Sequence, residues 1–219
     1  ACDTGISLGI IAAGTGNDLA RSLGLPEGDV VAGTEAVLAR LANPRRVDAI
    51  KAHSSTGQFW FFGTASAGFD ALCNQRANQM TWPKGPRRYD IAMVLELAKF
   101  KPIHYEATID GEHRSFDAML CAVANGPAFG GGMLIAPDAK FDDGHLDLFI
   151  VHAMSRLELL KVFPKVYSGG HVSHPAVEFV RAKSVKLSSG NMPVYSDGES
   201  RGHSPLTATV MPGALSVFA

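Results

Sequence analysis

Two textures of apolar and polar residues succeed one another along the chain. In the first, the apolar run at 8–11 predicts a buried strand. The turn after it opens a short helix that Asn17 or Asp18 can cap and that Gly24 and Pro26 stop. A second helix is predicted over 30–41, with Val30, Val31, Val37, Leu38 and Leu41 on one apolar face and Pro44 beyond its end. From Arg46 the pattern becomes strand-like. The pieces "RRVDAI", "GQFWFFGTASAG", "YEATID", "RSFDAMLCAVANG", "HLDLFIV", "AKSVKLSS", "MPVYSDGE" and "LTATVM" are rich in Val, Thr, Phe and Tyr, and Gly, Asp, Asn or Pro turns separate them. Helical spacing interrupts the strands twice, at 89–99 and 155–166.

This order predicts an α/β unit over residues 1–46, joined by the closing strand at 212–219, and a β-sandwich over 47–211 with helical insertions. The first strand arrives with nothing before it to pair with, so the α/β unit is expected to begin upstream of Ala1. Composition narrows the class. With 219 residues, 46% of them hydrophobic, the chain can bury a sizeable core. A net charge of −1 advertises no nucleic-acid surface. The three cysteines, Cys2, Cys73 and Cys121, are far apart and set among apolar residues, which predicts reduced thiols in a cytosolic protein. No apolar run reaches the roughly 20 residues of a membrane span.

Six stretches carry candidate chemistry. Gly14-Thr15-Gly16-Asn17-Asp18 sits at a strand-to-helix junction, where glycines admit backbone N–H groups to an anion and the helix start favours negative charge. Thr15 could offer its hydroxyl to a phosphate, and Asp18 could hold Mg²⁺ or organise a water. The same residues also make an ordinary capped turn, and the Lys of a Walker motif is absent. Asp48 is a carboxylate inside an apolar strand start, needing either a partner or an outlet to water. "PDAKFDDGHLDLFIV" gathers Asp138, Asp142, Asp143 and Asp147 around Gly144, in a spacing that suits a hard cation and equally a bland Asp-Gly hairpin. Two triplets, Asp110-Gly111-Glu112 and Asp197-Gly198-Glu199, read alike as hairpin turns or as paired carboxylates for base work. The glycines of "NGPAFGGGM" leave room for a ligand or for a flexible loop. Two weaker signals complete the set. His171 and His174 have a metal-like spacing without carboxylate company, and Lys84, Arg87 and Arg88 flank an apolar helix that can touch an anionic membrane or pack on the sheet.

Taken in order, these pieces resemble the diacylglycerol kinase catalytic-domain family, in particular its bacterial soluble lipid kinases. "LGIIAAGTGNDLARSLGLP" is similar to the family's GTxND nucleotide segment, "APDAKFDDGHLDLFIV" to its P-x-A-x-x-D-D-G segment, and "VYSDGE" with "LTATVMPGALSVFA" to its closing strands. The resemblance spans essentially the whole chain. It implies an active site in the cleft between the two units. It also implies ATP held at Gly14, Thr15, Gly16 and Asn17, and Asp18 and Asp48 in an acidic network around a catalytic Mg²⁺. Glu199 would be the general base with Asp197 beside it, and Glu112 would belong to an ordinary hairpin. A structural Mg²⁺ would sit at "KFDDGH" on Asp143 with the carbonyls of Lys140 and His145. The implied reaction is phosphorylation of a lipid hydroxyl, most simply diacylglycerol to phosphatidic acid, by a cytoplasmic protein working at the inner membrane face, with a homodimer as one possible assembly. A sphingoid or other lipid kinase, and a non-catalytic lipid or nucleotide binder of the same fold, are the alternatives. The family's upstream GGDGT motif is absent from this sequence, and Ala13 stands where the family usually has Pro.

Overall fold

The computed structural model describes residues 2, 4–14, 16–82 and 87–219. The first elements are β1 (Ser7–Leu8), α1 (Asp18–Ser22), α2 (Val30–Leu38), β2 (Arg45–Ser54), β3 (Gly57–Phe61) and β4 (Thr64–Ser66). Then come α3 (Phe69–Gln79), α4 (Arg87–Lys99), β5 (Ile103–Ile109), β6 (Glu112–Ala124) and β7 (Leu146–His152). The chain closes with α5 (Arg156–Val162), a 3₁₀ turn (Phe163–Ser168), β8 (Val177–Ala182), β9 (Ser184–Ser188), β10 (Pro193–Ser196), β11 (Glu199–His203) and β12 (Leu206–Val217).

The main sheet runs β11-β10-β4-β6-β5-β9-β12-β2-β3, antiparallel throughout, while β7 and β8 continue from β6 and β1 adds to β12 in parallel. Its ends curl toward each other. Ser55 N–H donates to the His203 carbonyl at 3.2 Å, and His203 N–H donates to Ser55 Oγ at 2.7 Å, so the turn after β2 meets β11. Period-two alternation in β12 buries Leu206, Ala208 and Val210 and exposes Thr207 and Thr209. Together with Tyr105, Leu148, Ile150 and Leu187 they form the core inside the curl.

A second core lies on the outer face of β6 and β7, where α3, α4, α5 and the 3₁₀ turn pack through Phe69, Leu97, Leu159 and Val166. A third joins α1 to the ends of β2 and β12 through Ala20, Leu23, Val47, Leu215 and Val217.

The predicted buried strand at 8–11 is a two-residue strand with Leu8 and Ile11 half exposed. The described residues give it a single neighbour, β12, so one side has nothing to pack on. The same holds for α2, which ends at Leu38 and leaves Val30, Val31 and Leu38 exposed where an inward apolar face was expected. Helix α3 was not foreseen from the pattern. It starts after Gly68, without a side-chain cap, and its second half is "NQRANQ".

Candidate active site

Asp48 lies in β2 opposite a bulge in β12. The register pairs Val47 with Leu215 and Ala49 with Met211, so Pro212, Gly213 and Ala214 together face Asp48 alone. Pro212 has no N–H to give, and Gly213, at φ 59°, turns its own toward β2. The Asp48 carboxylate takes that N–H at 2.8 Å and the N–H of Gly144 at 2.7 Å. One buried carboxylate thus joins the closing strand to the Asp-Asp-Gly turn, with both oxygens used.

Asn125, which ends "CAVAN", is the next link and was not singled out from the sequence. Its amide donates to the carbonyls of Asp48 at 3.1 Å and Phe62 at 2.8 Å, while its own N–H donates to the Gly63 carbonyl at 2.8 Å. On the far side of that segment, Asp197 accepts three N–H groups, from Phe62 at 3.0 Å, Gly63 at 3.1 Å and Thr64 at 2.9 Å. Asp197 and Gly198 both have positive φ, 49° and 84°, which makes the turn between β10 and β11 a type I′ hairpin. Glu199 follows as the first residue of β11, exposed to solvent. Gly63 cannot carry a side chain, because a Cβ there would stand 2.6 Å from the Asp197 carboxylate.

The glycine loop joins α1 to this set. Asp18 accepts from Gly131 and Gly132 N–H, both at 2.6 Å, and pairs with Arg21 at 2.8 Å; Arg21 also holds Glu27. Residues 125–133 therefore run from the Asp48–Asp197 network to Asp18. Asn17 does not cap α1. Its side chain instead closes the preceding loop, accepting from Gly14 N–H at 3.2 Å and donating to the Gly14 carbonyl at 2.8 Å. Gly16 is exposed, with open space where a side chain would stand. Thr15 and Lys84 lie outside the described residues.

At the turn expected to hold Mg²⁺, the Asp143 carboxylate already has protein partners. Asp143 accepts from His145 N–H at 3.0 Å with one oxygen and from the Arg181 guanidinium with the other. His145 Nδ1 bonds the Asp143 carbonyl at 2.7 Å; Lys140 and His145 were expected to contribute main-chain carbonyls, and the described residues contain no group of three or more His, Cys, Asp or Glu side chains arranged for a metal. Burial, with Asp143 and Asp138 nearby, holds the neighbouring Asp147 carboxyl above its ordinary range despite Arg181. Asp18 and Asp48 likewise spend their oxygens on main-chain N–H groups rather than facing one another across a shared ion. The paired histidines separate as well: His171 is buried against Phe149 and Phe179, and His174 pairs with Glu158 at 3.4 Å.

Known proteins share this architecture. Residues 63–219 match the YegS C-terminal NAD kinase beta sandwich-like domain, and residues 1–52 match the diacylglycerol kinase catalytic domain. A diacylglycerol kinase of Mycobacterium tuberculosis (strain H37Rv) is 39% identical over 217 residues, covering 98% of this chain and 70% of that protein. The protein named "Probable lipid kinase YegS-like" from Chromohalobacter salexigens is 32% identical, over 100% of this chain and 69% of its own length. The crystal structure of a diacylglycerol kinase from Bacillus anthracis str. Sterne superposes with a TM-score of 0.68 at 22% identity, over 97% of this chain and 66% of that one, and so shares the fold. With residues 1–52 and 63–219 matched by these two family models and relatives above 30% identity spanning nearly all of it, the chain belongs to the diacylglycerol kinase and YegS-like family of lipid kinases.

Proposed function

We propose that the chain transfers the γ-phosphoryl group of ATP, taken as its Mg²⁺ complex, to the free hydroxyl of diacylglycerol, working from the cytoplasmic side at a membrane surface. The names of the relatives support the substrate. The observation that carries the chemistry is the fixed turn at Asp197. Three main-chain donors hold its carboxylate, Asn125 ties those donors to Asp48, and Glu199 projects from the next residue but one.

In this reading Glu199 takes the hydroxyl proton as the lipid oxygen forms its bond to the γ-phosphorus and the bond to the leaving ADP oxygen breaks. The loop closed by Asn17 presents main-chain N–H groups to the phosphates, with Gly16 leaving the approach open. Asp18, Asp48 and Asp197 are positioning residues, since each carboxylate ends on backbone donors.

The outer face of α4 and α5 supports work at a membrane. Arg156 of α5 donates to the carbonyls of Ala98 and Phe100, which fastens the two helices together. Val94, Leu95, Leu157 and Leu160 are exposed on them beside Lys99, Lys101, Lys161 and Lys165. No described helix is long and apolar enough to cross a membrane.

The test is phosphorylation of a lipid panel by the full-length protein with labelled ATP. Labelled phosphatidic acid from wild type, reduced about 10²–10⁴-fold by Glu199→Gln and little by Glu112→Gln, is expected. Label appearing only on a sphingoid base would replace the substrate, and no labelled lipid of any class would overturn the kinase reading.

A further inference from the structure

Most arginines that carry structure in this chain have an acceptor. Arg45, Arg76, Arg114 and Arg181 each grip a carboxylate, and Arg156 donates to main-chain carbonyls. Arg201 of β11 differs. Its Nε is buried without a hydrogen-bond partner, and it forms no ion pair among the described residues. Its guanidinium carbon stands instead 5.2 Å from the centre of the Phe59 ring. Such stacking contributes about 0.5–2 kcal/mol, while a buried donor without an acceptor costs about 1–3 kcal/mol. The two roughly cancel, so folding stability gives no reason to place a cation there.

The backbone fixes where Arg201 stands. Strands β11 and β3 are the two ends of the main sheet, and hydrogen bonds draw them together at the turn after β2. There the Arg201 carbonyl accepts from Ser54 Oγ and, at 3.1 Å, from Thr56 Oγ1, next to the bonds between Ser55 and His203. Against β10, β11 carries an extra residue between Ser200 and His203, where Gly202 takes φ 77°. A bulge of this kind re-aims the side chains beside it. Here it leaves the Arg201 guanidinium over Phe59, which packs on the core inside the curl.

Glu199 precedes Arg201 by two residues on the same strand. Alternation puts both side chains on one face, with their Cα atoms about 7 Å apart. The register sets Ser196 directly opposite Glu199, and its buried hydroxyl also lacks a partner. The residue read above as the base therefore has two unsatisfied polar groups beside it, one of them a cation with no carboxylate of its own. In-line transfer carries phosphorus from the ADP oxygen to the lipid oxygen, away from the Asn17 loop and toward β11. Glu199 becomes neutral as it takes the hydroxyl proton, and the arriving phosphate brings negative charge to its side.

We propose that Arg201 is a further catalytic residue, which binds the phosphoryl group in transit and the lipid phosphate monoester that it becomes. Its planar fork meets two non-bridging phosphate oxygens, and the Phe59 ring holds that fork in place before substrate arrives. No bond to the guanidinium is made or broken. It offsets charge while the bond to the ADP oxygen breaks, the bond to the lipid oxygen forms and the proton passes to Glu199. The proposal rests on the lipid-kinase reading above and adds a division of labour: the Asn17 loop holds the nucleotide, and β11 holds the product phosphate.

The experiment compares full-length wild type, Arg201→Lys and Arg201→Met on ATP and dioctanoylglycerol in mixed micelles, with thermal unfolding to establish that each is folded. Arg201→Met should lower kcat about 10²-fold, leave the KM for ATP near wild type and weaken product inhibition by dioctanoyl phosphatidic acid about tenfold. Arg201→Lys should recover part of both losses, since it restores the charge without the fork. A readout free of turnover is the Nε–H resonance of Arg201, assigned by its absence from the Arg201→Lys spectrum. Titration with sn-glycerol 3-phosphate should shift it saturably, inorganic phosphate should shift it more weakly and glycerol should not. Folded Arg201→Met with wild-type kcat and product inhibition, or a resonance unmoved by either phosphate, would overturn the proposal. A raised KM for ATP with kcat unchanged would overturn it too, by assigning the cation to the nucleotide. Saturable shifts with sn-glycerol 3-phosphate, in a protein that phosphorylates no lipid, would keep the phosphate site and sink the kinase reading.

Discussion

Asp110 and Asp197 are the same device used twice. Each stands at positive φ, 48° and 49°, ahead of a glycine that is also at positive φ, and each leads into a strand that begins with Glu. Each turns its carboxylate onto the main chain of another segment: Asp110 accepts from Lys183 and Ser184, and Asp197 from Phe62, Gly63 and Thr64. Only the second anchor continues through Asn125 to Asp48. The triplets therefore differ in what they hold rather than in how they are built.

That difference separates stability from activity. Hydrogen bonds to a charged group contribute about 1.5–3 kcal/mol each, so Asp110→Ala and Asp197→Ala should both lower unfolding free energy by on the order of 3 kcal/mol. Lipid phosphorylation per folded molecule should fall in Asp197→Ala and stay near wild type in Asp110→Ala. Urea denaturation and turnover of the same samples check this, and equal losses of turnover would make Asp197 a purely structural residue.

Asn125 is expected to behave as a positioning residue. Asn125→Ala leaves the carbonyls of Asp48 and Phe62 without their donor, at a cost of about 2 kcal/mol. Because Glu199 is displaced rather than removed, kcat should drop without a change in the pH profile. Glu199→Gln, which removes the base itself, should lose far more of kcat than Asn125→Ala. A kcat unchanged in folded Asn125→Ala would break the link drawn between Asp48 and Asp197.

Much of the fold was legible because its signals are local. Alternation marked β2 and β12, and Asp-Gly pairs marked both I′ turns. What escaped depends on contacts between distant residues. Asp48 looks odd in its own strand until the bulge at Pro212-Gly213, 165 residues away, turns an N–H toward it. Asp143 reads as a cation ligand, and only the fold brings the Arg181 guanidinium alongside it. Asn17 looks like a helix cap, and only the folded loop reveals that its amide closes on Gly14. Helix α3 carries weak periodicity and opens on a glycine, so its pattern gave little to read. Glu199 and Glu112 are locally equivalent, and the family resemblance, not periodicity, separated them.

Asp70 ties stability to pH. Burial, opposed by the Ser66 hydroxyl and nearby backbone, pushes its carboxyl from 3.8 up to about 6. The folded state then holds this proton more tightly than the unfolded chain. Its contribution is complete below about pH 4 and is lost as pH rises through 6, by about 3 kcal/mol in all. Asp70→Asn should remove that part of the pH dependence and leave the protein more stable than wild type at pH 7. Thermal unfolding of both proteins from pH 4 to 8 decides it, and parallel curves would show that Asp70 does not titrate there.

The face of α4 and α5 should govern attachment to vesicles. Leu157 is 73% exposed and Leu160 47%, on the side of α5 opposite the buried Leu159 and Val162. Inserting a leucine side chain into hydrocarbon gains about 1.5–3 kcal/mol when complete, so even partial insertion of the two is worth about tenfold in partitioning. Glu at both positions reverses that gain and sets negative charge beside Lys161 and Lys165. The Leu157→Glu, Leu160→Glu double variant should bind vesicles containing one-third anionic lipid at least tenfold more weakly, by co-sedimentation, because each lysine near such a surface contributes about 1 kcal/mol. Its turnover on micellar dioctanoylglycerol should change far less than its turnover on vesicle-embedded substrate. Vesicle binding that survives the double variant would move the membrane contact to another face.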